Sequence, residues 1–203
     1  MLKKIKIMNS KKIYDNVTKK YFYSNLAADA CGLRVKTDTN LNRWSASAGE
    51  SRGTLIGGEL DFYPNRNEID DFYIKGINSF IKNSNGSIKL FGNRIMTTKA
   101  SSLDRLSTRV TINYIIRELE KLARYSIFEL LDRHTENVIE QKFKKLLNKI
   151  KLERGIKDYY FQIKTDKVAQ QLNINVFYQP NYVADFIQIN FINTGTSALT
   201  TVK

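Results

Sequence analysis

The chain predicts an α+β domain, a mixed or antiparallel sheet covered on one face by two long amphipathic helices. Three observations carry this. Apolar residues recur with helical spacing twice between Ser102 and Gly155, they alternate with strand spacing in the last third, and only a short break parts the two helical runs.

From the N-terminus, Met1 to Tyr23 is rich in lysine and alternates only weakly, through Ile5, Ile7 and then Ile13 to Tyr14, so residues 1–22 read as an arm or an edge strand. Lys3, Lys4, Lys6, Lys11 and Lys12 are placed to grip phosphate, although a solvated terminus produces the same run. Leu26 to Leu60 reads as small residues and turns: Ala27, Ala28, Gly32, a polar run from Thr37 to Asn42, then Gly49, Gly53, Gly57 and Gly58. The glycines beside Arg52 match neither a nucleotide-binding loop nor G-x-G-x-x-G, which leaves turn geometry as their cause. Trp44, the lone tryptophan, is expected to anchor a local apolar cluster.

Asn65 to Asn78 predicts a short helix that carries Glu68, Asp70 and Asp71 toward its positive end and lines one face with Ile69, Phe72, Tyr73 and Ile77. Paired carboxylates can hold a cation or serve as acid and base, but exposed first-turn acids explain them without further assumptions. Asn83 to Gly86 predicts a turn between Phe80–Ile81 and the strand-like Ile88, Leu90 and Phe91.

The first long helix sets Ile112, Ile115, Ile116, Leu119, Leu122 and Ala123 on one face and Arg117, Lys121 and Arg124 on the other. The second repeats the pattern with Ile139, Phe143, Leu146, Leu147 and Ile150, and Lys142, Lys144, Lys145, Lys149 and Lys151 fill most of what remains. Thr135 followed by Glu136 offers a cap for it, with His134, the only histidine, in the break before. Tyr159–Ile163, Leu172–Phe177 and Phe186–Ile192 alternate as strands, Pro180 ends the middle one, and Gly195–Lys203 is a small, polar tail.

Composition narrows the function. At 203 residues, 42% hydrophobic and 26% charged, the chain can bury a core without staples. Thirty-three Lys and Arg against 20 Asp and Glu leave a net charge of +13, which favours an anionic partner surface. Cys31 is the only cysteine, so neither an internal disulfide nor a thiolate metal site is expected, and no apolar run has the length of a membrane helix. With one histidine and one cysteine far apart, no nucleophile and base can be paired, and no cluster of metal ligands is spaced along the chain. The expectation is a non-enzymatic binding or assembly module without a cofactor. A nucleic-acid-binding module is the alternative, although the basic helices lack interleaved aromatics for stacking.

A set of phrases in fixed order resembles the C-terminal part of the contractile tail sheath proteins of T4-type myoviruses. They include Ala28-Asp29-Ala30-Cys31-Gly32-Leu33, Arg43-Trp44, Phe62-Tyr63-Pro64-Asn65, Tyr73-Ile74-Lys75-Gly76-Ile77-Asn78, Leu90-Phe91-Gly92-Asn93-Arg94, Ser102-Leu103-Asp104-Arg105-Leu106, Phe128-Glu129 and Phe186-Ile187. Their order follows the family from about Tyr23 to Thr196. One departure is Thr108-Arg109-Val110, where the family runs through two consecutive arginines. The large outward-facing portions of the family have no counterpart, so Met1 is expected to open a split gene, a minimal sheath or a truncated piece.

The resemblance implies a structural virion protein, assembled in the host cytoplasm, whose subunits stack as rings around a tail tube and contract to drive it through the host envelope. Residues 23–196 would form the sheath-type core, with an arm before it and a flexible tail at 197–203. Extended terminal arms would add strands to a neighbour's sheet, with Ile5, Ile7, Phe186, Ile189 and Phe191 as the strand residues. Arg109, Arg117, Lys121, Arg124, Lys142, Lys145 and Lys149 are candidates to face the tube, although a solvated face accounts equally well for the second helix. Implied partners are further copies of the chain, the tail tube protein, and baseplate and terminator proteins. Membrane insertion and nucleic acid are not expected.

Overall fold

The computed structural model describes residues 6–7, 9–55, 57–97, 101–166, 168–183 and 185. In order, the elements are β1 (Lys6–Ile7), β2 (Ser10–Asp15), β3 (Lys20–Asn25), α1 (Ala27–Asn40), β4 (Thr54–Leu55), β5 (Glu59–Leu60), α2 (Arg66–Ile74), β6 (Ile77–Lys82), β7 (Ile88–Phe91), α3 (Leu106–Arg124), α4 (Arg133–Leu152), β8 (Ile156–Asp166) and β9 (Gln171–Pro180).

The strands make three sheets rather than one. One has the order β1-β6-β7-β4, in which β1 runs parallel to β6 and the remaining pairs are antiparallel. The second is β3-β2-β5, and the third is the long β8-β9 hairpin. Alternation in the sequence specifies which side chains of a strand share a face, but not which strand lies beside it. This is why a single sheet was the wrong expectation.

Two apolar cores follow from this arrangement. The first is built by Ile115 and Leu119 of α3, Ile139, Phe143, Leu147 and Ile150 of α4, and Ile156, with the inward side chains of β8 and β9 packed against it. The second gathers Leu26, Leu33, Leu60, Phe80, Ile88 and Leu90 under the four-stranded sheet. Trp44 packs on the first core, as an anchor.

Local chemistry sets the element ends. α2 opens with a capping box: the Asn65 side chain accepts from the Glu68 amide and the Glu68 carboxylate accepts from the Asn65 amide. It stops at Ile74, because Gly76 takes a left-handed φ of 72°, so Ile77, expected on the helix, begins β6 instead. α4 is capped by Asp132, whose carboxylate accepts from the Thr135 amide at 2.9 Å. Thr135 is therefore the donor and not the cap, and His134 lies in the first turn and not in the break.

α1 is the element the sequence concealed. Residues 27–40 form a 14-residue helix where turns were expected. Its buried side is narrow, Leu33 and Thr37 alone, so no apolar stripe announces it. The nearby Gly53 is structural, because a Cβ there would come within 2.9 Å of the backbone oxygens of Gly49 and Leu90. The predicted turn lies between β6 and β7, with Gly86 at a φ of 84°. Phe186–Ile192 and the 197–203 tail fall outside the described residues, as does Ile5.

Candidate assembly surface

α3 and α4 turn their basic residues away from the core. Arg117 and Lys121 are each two positions from a buried core residue of α3, about 200° around the helix, and Arg124 continues their row. All three are exposed. Lys121 pairs with Glu118 at 2.9 Å. On α4, Lys145 and Lys149 are exposed opposite Phe143 and Leu147, and Lys142 is half-buried on the flank. Lys144 pairs with Glu140, and Lys151 with Asp158 at 2.8 Å, whereas Lys145 and Lys149 form no ion pair among the described residues.

Arg109 differs from the other six. It is half-buried in the second turn of α3, and its positive charge opposes the burial that raises the Tyr178 phenol above its usual range. Its surroundings are those of an interior arginine, and it does not share the exposed row of Arg117, Lys121 and Arg124.

The hairpin provides a second kind of surface. β8 pairs with β9 on one side, and the far side of β9 meets no strand among the described residues. Along Gln171–Pro180 there is no charged side chain, whereas β8 carries Lys157, Asp158, Lys164 and Asp166. Proteins guard open edges with charge, so an uncharged edge of ten residues is unusual on a surface left in water. Beside this edge runs an apolar groove of about 460 Å³, walled by Ile112, Ile116 and Leu119 of α3 and by Leu172, Ile174 and Val176 of β9. At its far end the α3–α4 connection exposes Tyr125, Ile127, Phe128 and Leu130.

Ile7 sits in register with Asn78 of its own β6, and β1 is the outer strand of that sheet. The structure does not bring Ile7 near the basic rows. Among the described residues no helix is long and apolar enough to cross a membrane.

Both the sequence and the fold have counterparts among known proteins. A tail sheath protein of Vibrio phage KVP40 is 28% identical over 199 residues, covering 94% of this chain and 29% of its own length. The chain is similar to phage tail sheath proteins over most of its length. A second sheath relative, from Enterobacteria phage T4, is 26% identical over 197 residues, with 94% of this chain and 30% of that protein covered. The chain thus spans about 30% of the length of the curated relatives it matches. Its fold is that of a solved sheath complex of an extracellular contractile injection system in the contracted state, with a TM-score of 0.81 at 18% identity over 93% of this chain and 55% of the other. No family model matches the chain.

Sequence reasoning read β9 as a strand but not as an edge, because pairing is a long-range property. The signal was present nonetheless, in ten consecutive residues free of charge within a chain of net charge +13.

Proposed function

We propose that this chain is a structural subunit of a contractile tail sheath, polymerising around a tail tube in the host cytoplasm and contracting in the virion to drive that tube through the host envelope. The observation that carries the reading is the uncharged edge of β9, which meets no strand among the described residues and lies beside an apolar groove. A strand laid there gains main-chain hydrogen bonds from the edge and buries its apolar side chains in the groove.

Residues 186–192 of a second copy suit that role. Ile187, Ile189 and Phe191 would face the helices and Gln188 and Asn190 would face out, which matches β9, where Leu172, Ile174 and Val176 turn inward and Asn173 and Asn175 outward. Phe186 would lie at the start of the added strand. Ile7 already lies in the outer strand of its own four-stranded sheet, so a strand running through Ile5 and Ile7 would link subunits by offering that edge to a neighbour. Within the sheath-type core proposed over residues 23–196, the part before the added strand would stay folded while such arms link subunits. Because each link is a ladder of main-chain bonds, neighbours can rotate without separating.

The tube is the anionic partner that the net charge calls for. The row Arg117, Lys121 and Arg124 and the row Lys142, Lys145 and Lys149 offer many weak, salt-screened contacts that release together, and Arg109 would act from beneath the first row. Baseplate and terminator proteins would close the two ends.

Electron microscopy of the purified chain tests the reading. Rings or helical tubes are expected from the unaltered chain, and Asn173→Lys with Asn175→Lys, both at exposed positions of β9, should abolish them without unfolding the subunit. A strictly monomeric particle at high concentration overturns it.

A further inference from the structure

The segment that follows β9 is tied to the start of α3. Asp185 lies five residues beyond Pro180, and its Oδ2 accepts from Arg105 Nε at 2.5 Å, a contact between residues 80 positions apart. Arg105 is the residue that precedes α3. Its guanidinium also lies 2.9 Å from Asp104, and the second Asp104 oxygen lies 3.5 Å from Arg94. Both guanidinium groups stand over the ring of Tyr73 in α2, at 5.2 and 5.6 Å from its centroid. Burial, and then the neighbouring Asp185 carboxylate, push the Tyr73 phenol well above its usual range.

These four charged side chains are between 11% and 23% exposed. Groups so far removed from water must balance one another. Arg94 and Arg105 are balanced by Asp104 and Asp185 together, and without Asp185 two guanidinium groups would share one carboxylate. The segment after β9 is therefore held at this place by charge balance. A pull applied directly at Pro180 would peel β9 from β8 one hydrogen-bonded pair at a time. A pull arriving through Asp185 meets the cluster first, and passes into α2 and the start of α3.

We propose that Asp185 and Arg105, seated on Tyr73, form a latch that fixes where the C-terminal segment leaves the domain and shields the β8–β9 ladder from peeling when that segment is held by a neighbour. The mechanical part rests on the sheath reading above, while the latch itself does not. Both residues act by positioning.

Hydrogen exchange on the full chain tests it. In the unaltered protein the amides of residues 181–185 should be protected, and 1 M salt should weaken that protection because part of it is ionic. Asp185→Asn should speed exchange there about ten- to a hundredfold, as expected for losing a charged hydrogen bond, leave α4 unchanged and remove the salt effect. Asp185→Glu, which keeps the charge, should recover most of the protection. Arg105→Gln should resemble Asp185→Asn; should it unfold the chain through its contact with Asp104, the Asp185 variants still decide. Exchange in Asp185→Asn equal to that of the unaltered chain overturns the latch. Failure of the unaltered chain to form tubes while residues 181–185 stay protected overturns the sheath reading and leaves the latch standing.

Discussion

Gly155 lies flat against Trp44. A Cβ at position 155 would stand 2.9 Å from the indole and 2.6 Å from Ile150 Cγ2, and the Gly155 amide donates to the Ile150 carbonyl at 2.8 Å as the chain turns out of α4 into β8. Gly155→Ala therefore overpacks the first core. The expected cost is about 1–3 kcal/mol in urea unfolding. Gly32→Ala, in the middle of α1 with open space around its Cα, is the control, and should stabilise by about 0.5–1 kcal/mol.

The two cores are expected to respond to truncation alike. Leu147 and Phe80 are both 0% exposed, one in each core. Leu147→Ala should cost about 2–5 kcal/mol and Phe80→Ala about 3–5 kcal/mol. Thermal unfolding followed by circular dichroism checks both, and a variant whose midpoint does not move would mean that its side chain is not packed as described.

The Asp132 cap makes the start of α4 sensitive to acid. The Thr135 amide is the main reason its carboxyl is held below the ordinary aspartate range. A depressed carboxyl contributes stability at pH values above its unfolded pKa, and loses it as pH falls through the folded value. Protection of the first turn of α4 should therefore decline below about pH 4. Asp132→Asn, which can still accept the bond, should flatten that dependence when the Thr135 amide is followed by NMR.

The exposed basic row of α3 is expected to be dispensable for folding. Arg117→Glu, Lys121→Glu and Arg124→Glu should each change stability by less than about 0.5 kcal/mol, since among the described residues only Lys121 of the three has an ion pair, with Glu118. Together they should reverse attraction to an acidic tube surface. Co-sedimentation with such a tube at rising salt measures this, and unaltered binding in the triple variant would exclude this row as the contact.

Much of the fold was legible where local pattern and burial agree. The turn at Asn83–Gly86 lies between β6 and β7, and the strands at 159–163 and 172–177 and the helical periods around Ile115 and Phe143 fall within elements of the structure. Where the buried side is thin, as in α1 with Leu33 and Thr37, the pattern was silent. Capping was misplaced by three residues, because Asp132 and Thr135 both suit a helix start and only backbone geometry distinguishes acceptor from donor.

The candidate surface divides along the same line. Sequence by itself determined the charge, the helical rows Arg117-Lys121-Arg124 and Lys142-Lys145-Lys149, and the uncharged run from Gln171 to Pro180, because these are properties of residues near one another in the chain. Tertiary structure alone decided that Arg109 is half-buried near Tyr178, that β9 has one side without a strand among the described residues, and that Asp185 closes on Arg105 from 80 positions away. Each of those depends on which distant segments meet, and chain order does not encode that until the cores have formed.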